Sequence, residues 1–347
     1  MNTQELRFER PESLFASAPA EMRGASRDDV RLLVSAPDGH EHRRFTDLPS
    51  ALRPGDLLVV NESATLPASL AAEGRLGEIR LNLSTRFGPR LWTAEPRWSP
   101  AKQGPLPVRE GDVLRVGDAR ARLLSPYPGI PRLWFVHLDR PGEAILAERG
   151  EPIHYGYAPA YPLETYQTLF SRVPGSVEMP SAARPITPRV RSALLDTGVR
   201  IAPILLHTGV SSLEIEAATV EQQALYPEPF RVPAETARLV NETRARGGRV
   251  VAVGTTVVRA LETAWSPGGV RPMAGFTRHY VNPATGVRAI DGLLTGLHDP
   301  VTSHLAMLGA LVGIGRVKDA YAEAVRARYL WHEFGDSHLL WRAPAAS

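Results

Sequence analysis

An α/β domain interrupted by a small all-β barrel is the architecture this sequence predicts, and three observations carry that prediction. The first is a set of short, continuous apolar runs, "LLVV" at 57–60 and "VVAV" at 250–253. Such runs suit strands whose two faces are both covered, as in a parallel sheet flanked by helices. The second is the stretch from about 70 to 140, where "EIRLNLS", "RLWTAEP", "DVLRVG", "ARARLLS" and "RLWFVHL" are separated by Gly and Pro. Short alternating strands without helical periodicity suggest a closed barrel or sandwich. The third is the return of helical periodicity beyond residue 187. The division expected is therefore 1–61 plus 153–347 for the α/β domain and 62–152 for the inserted barrel. The barrel is expected to line the ligand cleft.

The elements follow in order. "DDVRLLVS" (28–35) reads as a strand, and "RPGD" (53–56) as the turn before "LLVV". "PRVRSALLDTGV" (188–199) is a helix closed by Gly198, and "RIAPILLHTG" (200–209) a strand ending in His207. "PAETARLVNETRARGG" (233–248) begins with proline and ends in glycines, as helices do. "GGRVVAVGTTVVRALE" (247–262) passes from strand through Gly254 into a helix, and either Thr255 or Thr256 can cap it. "HLAMLGALVGIGRVKDAYAEAVRARYLW" (304–331) supplies one or two helices.

Composition excludes several classes. With 43% hydrophobic and 22% charged residues, the 347-residue chain is of soluble globular type and long enough for two domains. The N-terminus "MNTQELRFERPESLF" has no apolar signal core, and "LAMLGALVGIG" (305–315) is too short to span a bilayer, so a cytoplasmic protein is expected. Cysteine is absent, which removes thiolate zinc sites, cysteine nucleophiles and cysteine-bound iron–sulfur clusters. No histidine pattern has metal-ligand spacing; "HEFGDSH" (332–338) comes nearest and reads as packing or surface. Basic residues exceed acidic ones by three, a weak nucleic-acid signal. Lys102 and Lys318 are the only lysines, an imbalance that codon bias explains as readily as phosphate binding does.

Ligands of open α/β sheets bind beyond the carboxyl ends of the strands. Four polar clusters occupy such places: Asn61-Glu62-Ser63, His207-Thr208-Gly209, Gly254-Thr255-Thr256, and "TGLHDP" (295–300) with His298 and Asp299. A helix starting directly after a strand presents free N–H groups and the positive end of its dipole, which suits an anion. Residue patterns alone thus give a ligand site of anion-binding character, without a stock nucleotide motif.

Longer motifs add a resemblance. "ASRDDVRLLV", "LRPGDLLVVNESATLPASL", "ETYQTLFSRVPGSV", "HTGVSSLE", "GGRVVAVGTTVVRALE", "LLTGLHDP" and "FGDSHLL" occur in the order found in the S-adenosylmethionine:tRNA ribosyltransferase-isomerases of queuosine biosynthesis. The chain resembles that family over nearly its whole length. The resemblance implies an α/β domain with an inserted barrel. It also implies transfer and isomerisation of the ribosyl part of S-adenosylmethionine onto 7-aminomethyl-7-deazaguanine in the tRNA anticodon arm, with adenine and methionine released. No metal and no membrane is implied, and no cofactor beyond S-adenosylmethionine. A sulfonium acidifies the adjacent C5′ proton and is a good leaving group, so such chemistry needs a base, orientation and charge stabilisation.

On this resemblance Gly254, Thr255, Thr256, Asn61 and Glu62 are expected at S-adenosylmethionine, and Arg259, Tyr226 and Asp299 at the acceptor. His298, His207 and Glu228, in that order, are the candidates for moving protons, with Asp299 available to orient His298. The chain departs from the family pattern at four places: Pro185 and Tyr226 stand where histidines are usual, Ala64 replaces an arginine, and Gly296 replaces an asparagine. These departures keep open a second expectation, a paralogue that uses the same cleft on a small molecule or splits the sulfonium without tRNA.

Overall fold

The computed structural model describes residues 1–98, 106–154, 159–210, 215 and 217–343. The start of "YGYAPAYPLETYQTLFSRVPG" (155–158) and the "SSLE" that ends "HTGVSSLE" (211–214) lie outside the described residues. The core of the α/β part is a nine-stranded sheet. Its middle is parallel: Arg200–Leu206, Leu57–Asn61, Val250–Val253 and Gly292–Gly296 lie side by side in that order. Glu228–Val232 and Met273–Thr277 extend it antiparallel on one side. Ser337–Trp341, Arg31–Ala36 and Gly39–Arg44 complete the other.

Alternate residues of the central strands enter opposite cores. Leu57, Val59, Val250 and Ala252 pack under the helices Ala234–Ala245, Thr255–Thr263, Ser303–Val312 and Ile314–Arg326. Leu58, Val60, Val251 and Val253 pack on the other face with Phe45, Leu48, Val190 and Leu194. All eight strand residues are at most 1% exposed, which is why these runs carry no polar alternation. The long helical pattern after 303 divides at Gly313, whose φ of 85° lies in the left-handed region open to glycine.

Six strands between Ser69 and Leu138 close into an antiparallel barrel, and the helix Gly142–Arg149 follows. Its interior holds Leu70, Leu81, Trp92, Ala94, Leu123 and Val136. A smaller cluster containing Ala68, Tyr127, Leu133, Val177, Val210 and Tyr226 joins barrel to sheet. The barrel was expected to line the cleft. Instead, every residue lining the polar cleft described below lies between Glu178 and Glu333, because the barrel packs against the sheet through this apolar seam.

Candidate active site

Parallel alignment puts Asn61, Leu206, Val253 and Gly296 at one edge of the sheet, and the antiparallel strand Ser337–Trp341 brings the segment before it to the same edge. A cleft with about 1140 Å³ of open space lies there.

One wall is the strand–glycine–helix joint. Gly254 adopts φ 95° and ψ 154°, so the helix begins at Thr255 without any side-chain cap. The threonines were expected to supply that cap. The glycine conformation removes the need, and Thr256 Oγ1 instead receives the Asn61 amide at 3.3 Å. The first N–H groups of the helix therefore remain unclaimed by side chains and face the cleft with their dipole, the arrangement that receives anions.

Arg259 stands one turn further along this helix. Its Nη1 is paired with the buried Glu228 carboxylate, and its Nε donates to the His279 carbonyl at 3.3 Å. Its Nη2 is buried with no hydrogen-bond partner among the described residues. Glu228 Oε1 accepts from Gly209 N at 2.8 Å, so this carboxylate is engaged on both oxygens.

The floor carries histidines. His298 Nε2 shares a hydrogen bond of 2.8 Å with Thr295 Oγ1, and its ring lies 4.7 Å from that of His304. Burial, reinforced by the neighbouring imidazoles, holds His298 well below the usual histidine range, and burial beside Arg259 pulls His304 down to about 4. Both are neutral near pH 7. Asp299 was available to orient His298, but its carboxylate turns away: Oδ1 takes Arg10 at 2.9 Å and Oδ2 takes His332 at 2.8 Å. Burial alone would raise Asp299; the His332 hydrogen bond and the Arg10 charge outweigh it and keep it ionised.

Other expected residues sit behind the site. Asn61 Oδ1 accepts from Ser63 N and Leu206 N, and its Nδ2 donates to the Leu206 carbonyl at 2.8 Å, so it staples two strands together. His207 Nδ1 meets Ser63 Oγ at 2.7 Å, away from the cleft, and burial pulls its pKa down to about 4. Glu62 turns to Arg231 and a separate groove. Tyr226 is 3% exposed in the barrel seam, against Gly209. Of the four departures only Gly296 lines the cleft, and a Cβ there would meet nothing closer than 4.0 Å. Pro185 lies in a turn and Ala64 in the short strand Ser63–Thr65.

The remaining wall was not expected. Glu178 and the loop residues His332 and Glu333 line it. The expectation for "HEFGDSH" is packing or surface, since its histidines lack metal spacing; the structure instead puts His332 and Glu333 in the cleft wall. No group of three or more His, Asp or Glu among the described residues is arranged to hold a metal ion.

This fold and cleft define a class: a barrel-bearing α/β protein with a polar cleft, suited to an anion, at the carboxyl edge of a parallel sheet. The chain belongs to the family described as queuosine biosynthesis protein, whose model matches residues 3–340. It is 39% identical to an S-adenosylmethionine:tRNA ribosyltransferase-isomerase of Anaeromyxobacter sp. (strain Fw109-5), over 99% of this chain and all of that one. A protein of the same name from Moorella thermoacetica is 37% identical, over 98% of this chain and all of that one. The crystal structure of S-adenosylmethionine tRNA ribosyltransferase from Thermotoga maritima superposes with a TM-score of 0.55 at 29% identity, covering 97% of this chain and 99% of that one.

Proposed function

We propose that the protein is an S-adenosylmethionine-dependent tRNA ribosyltransferase-isomerase. It transfers and isomerises the ribosyl part of S-adenosylmethionine onto 7-aminomethyl-7-deazaguanine in the anticodon arm of tRNA. Epoxyqueuosine forms, and adenine and methionine leave. The observation that carries this reading is the uncapped helix start beside Arg259, in a cleft on a chain similar over its full length to enzymes so named. Those whole-length matches favour the tRNA reaction over the small-molecule alternative.

The cleft suits a substrate that is anionic at one end and cationic in the middle. The methionyl carboxylate is assigned to the helix N-terminus at Gly254, Thr255 and Thr256, with Arg259 Nη2 as its charge-assisted donor. A sulfonium is repelled by imidazolium, and the neutral His298 and His304 avoid that repulsion. His298 acts as a hydrogen-bonding group, since its depressed basicity leaves little driving force for accepting a proton. Glu228 holds Arg259 in place, and His207 bonds Ser63 behind the cleft. A cytoplasmic protein is the reading that a tRNA substrate supports; among the described residues no helix is long and apolar enough to cross a membrane.

The test is direct. Purified protein, S-adenosylmethionine and tRNA carrying 7-aminomethyl-7-deazaguanine are incubated, and the digested tRNA is examined by mass spectrometry. Epoxyqueuosine with equimolar adenine and methionine is expected; adenine release without modified tRNA would favour the small-molecule alternative.

A further inference from the structure

We infer that Glu333 is the base that removes the C5′ proton of the sulfonium substrate, an inference that rests on the S-adenosylmethionine reading above. Four carboxylates line the cleft. Glu228 is committed to Arg259 and Gly209, and Asp299 to Arg10 and His332. Glu178 sits on the same wall as Glu333. Glu333 makes no hydrogen bond or ion pair with any described residue, and it lines the cleft in a partly buried position, so its carboxyl is left for a ligand.

Its backbone, in contrast, is held. Asp336 closes the loop by accepting Leu330 N at 2.7 Å, while Asp336 N donates to the Leu330 carbonyl at 2.8 Å. Trp331 Nε1 donates to the His298 carbonyl at 3.1 Å, tying the loop to the histidine floor. His332 adopts φ 76°, an uncommon conformation for a residue with a side chain, and is anchored by Asp299 and by stacking on Phe15. A fixed loop with one unengaged carboxyl is a preorganised base.

The groups around Glu333 set when it ionises. Glu178 approaches it from the segment before the 3-10 turn Ser181–Ala183, and Arg184 from just after that turn. Arg184 is itself bound to Glu21 at 2.9 Å, which dilutes its pull. The buried Tyr166 hydroxyl, without a partner among the described residues, lies near enough to feel the Glu333 charge. His332 is tied to Asp299, and the floor histidines are neutral. Burial and then the negative Glu178 push Glu333 up to about 8, against Arg184. A general base is most effective with a pKa near the working pH. The arriving sulfonium brings a positive charge that favours the carboxylate, so substrate binding itself prepares the base.

The step balances as follows. The C5′–H bond breaks, an O–H bond forms on Glu333, and the electron pair stays on C5′ beside the positive sulfur as an ylide. The proton passes to water at the cleft mouth when Glu333 ionises again.

The experiment uses the full chain in heavy water, with S-adenosylmethionine, with and without tRNA, following deuterium at C5′ by mass spectrometry. Wild type is expected to exchange. Glu333→Gln should slow exchange and turnover by about 10²–10⁴, while S-adenosylmethionine binding weakens by no more than about tenfold by calorimetry, which also shows that the variant folds. Glu333→Asp should recover part of the rate. The kcat/KM of wild type should rise with pH towards about 8; that limb should vanish in Glu333→Gln and move to lower pH in Glu178→Gln. Unchanged exchange or a surviving limb in Glu333→Gln overturns the assignment. A wild type that exchanges C5′ but modifies no tRNA removes the tRNA reading and leaves Glu333 standing.

Discussion

Arg259 has one guanidinium nitrogen in an ion pair, one on a backbone carbonyl and one buried with no partner among the described residues. Leaving a buried charged donor unmade costs free energy, and a ligand carboxylate removes that cost when it docks. Arg259→Gln should therefore weaken S-adenosylmethionine binding by about tenfold to a hundredfold, from the 1.5–3 kcal/mol of a charge-assisted bond. Calorimetry checks it, and unchanged affinity would separate Arg259 from the ligand. His298 makes the opposite case, because its ring is neutral and its Nε2 already faces Thr295. His298→Gln should keep C5′ exchange within about tenfold, whereas loss of a general base costs 10²–10⁴. At this scale the sequence was readable in part. The Gly254-Thr255-Thr256 cluster, Arg259, His298 and Asp299 do line one cleft, but Asn61, Glu62, His207 and Tyr226 do not. Each of these four lies at a strand end or within two residues of one, and nearness in sequence does not say which way a side chain turns. Asn61 turns inward because Leu206 N and Ser63 N need its oxygen.

The strand–Gly254–helix joint is the element on which the proposed anion site depends. Its continuous β-branched run, lone glycine and 3.6-residue period were visible without any tertiary information. The cap differs from the expected one: with Gly254 at φ 95°, the helix starts without help from a threonine hydroxyl. Gly254→Ala would place a Cβ 3.4 Å from Ala182, an ordinary contact, so the strain is in the backbone. The expected loss is about 1–3 kcal/mol of stability, the cost of holding an L residue at a positive φ with extended ψ, a region essentially reserved for glycine. A denaturant midpoint and its slope measure it; a loss below a few tenths would mean that the joint adopts another conformation. The loop Leu330–Asp336 shows the reverse situation. Nothing in "LWHEFGD" announces a ligand wall, because its position depends on Asp299, His298 and Phe15, each distant in sequence.

At the scale of the whole molecule, buried histidines govern the acid response. His338 is 0% exposed between Ser35 and Tyr321, and burial, with His40 nearby, pulls it down to about 3; His207 and His304 lie at about 4. All three are neutral when folded and take protons more readily when unfolded, near 6.5. Their contribution to stability is full above about 6.5 and is lost as pH falls through about 4 to 3. The melting temperature should fall steadily from pH 7 to pH 4, and His338→Gln should make that fall shallower. A parallel fall in wild type and variant would show that His338 does not contribute to it. The sequence by itself determined the layered α/β core and the barrel, because periods of two and 3.6 are local properties of apolar side chains. It also determined that a strand must hand over to a helix at Gly254, since only local conformation is involved. Tertiary structure alone decided that the barrel seals its seam with Tyr226 rather than lining the cleft, and that Glu333 arrives at the open wall. Both depend on antiparallel and parallel register between strands far apart in the chain, and register is a property of the assembled sheet.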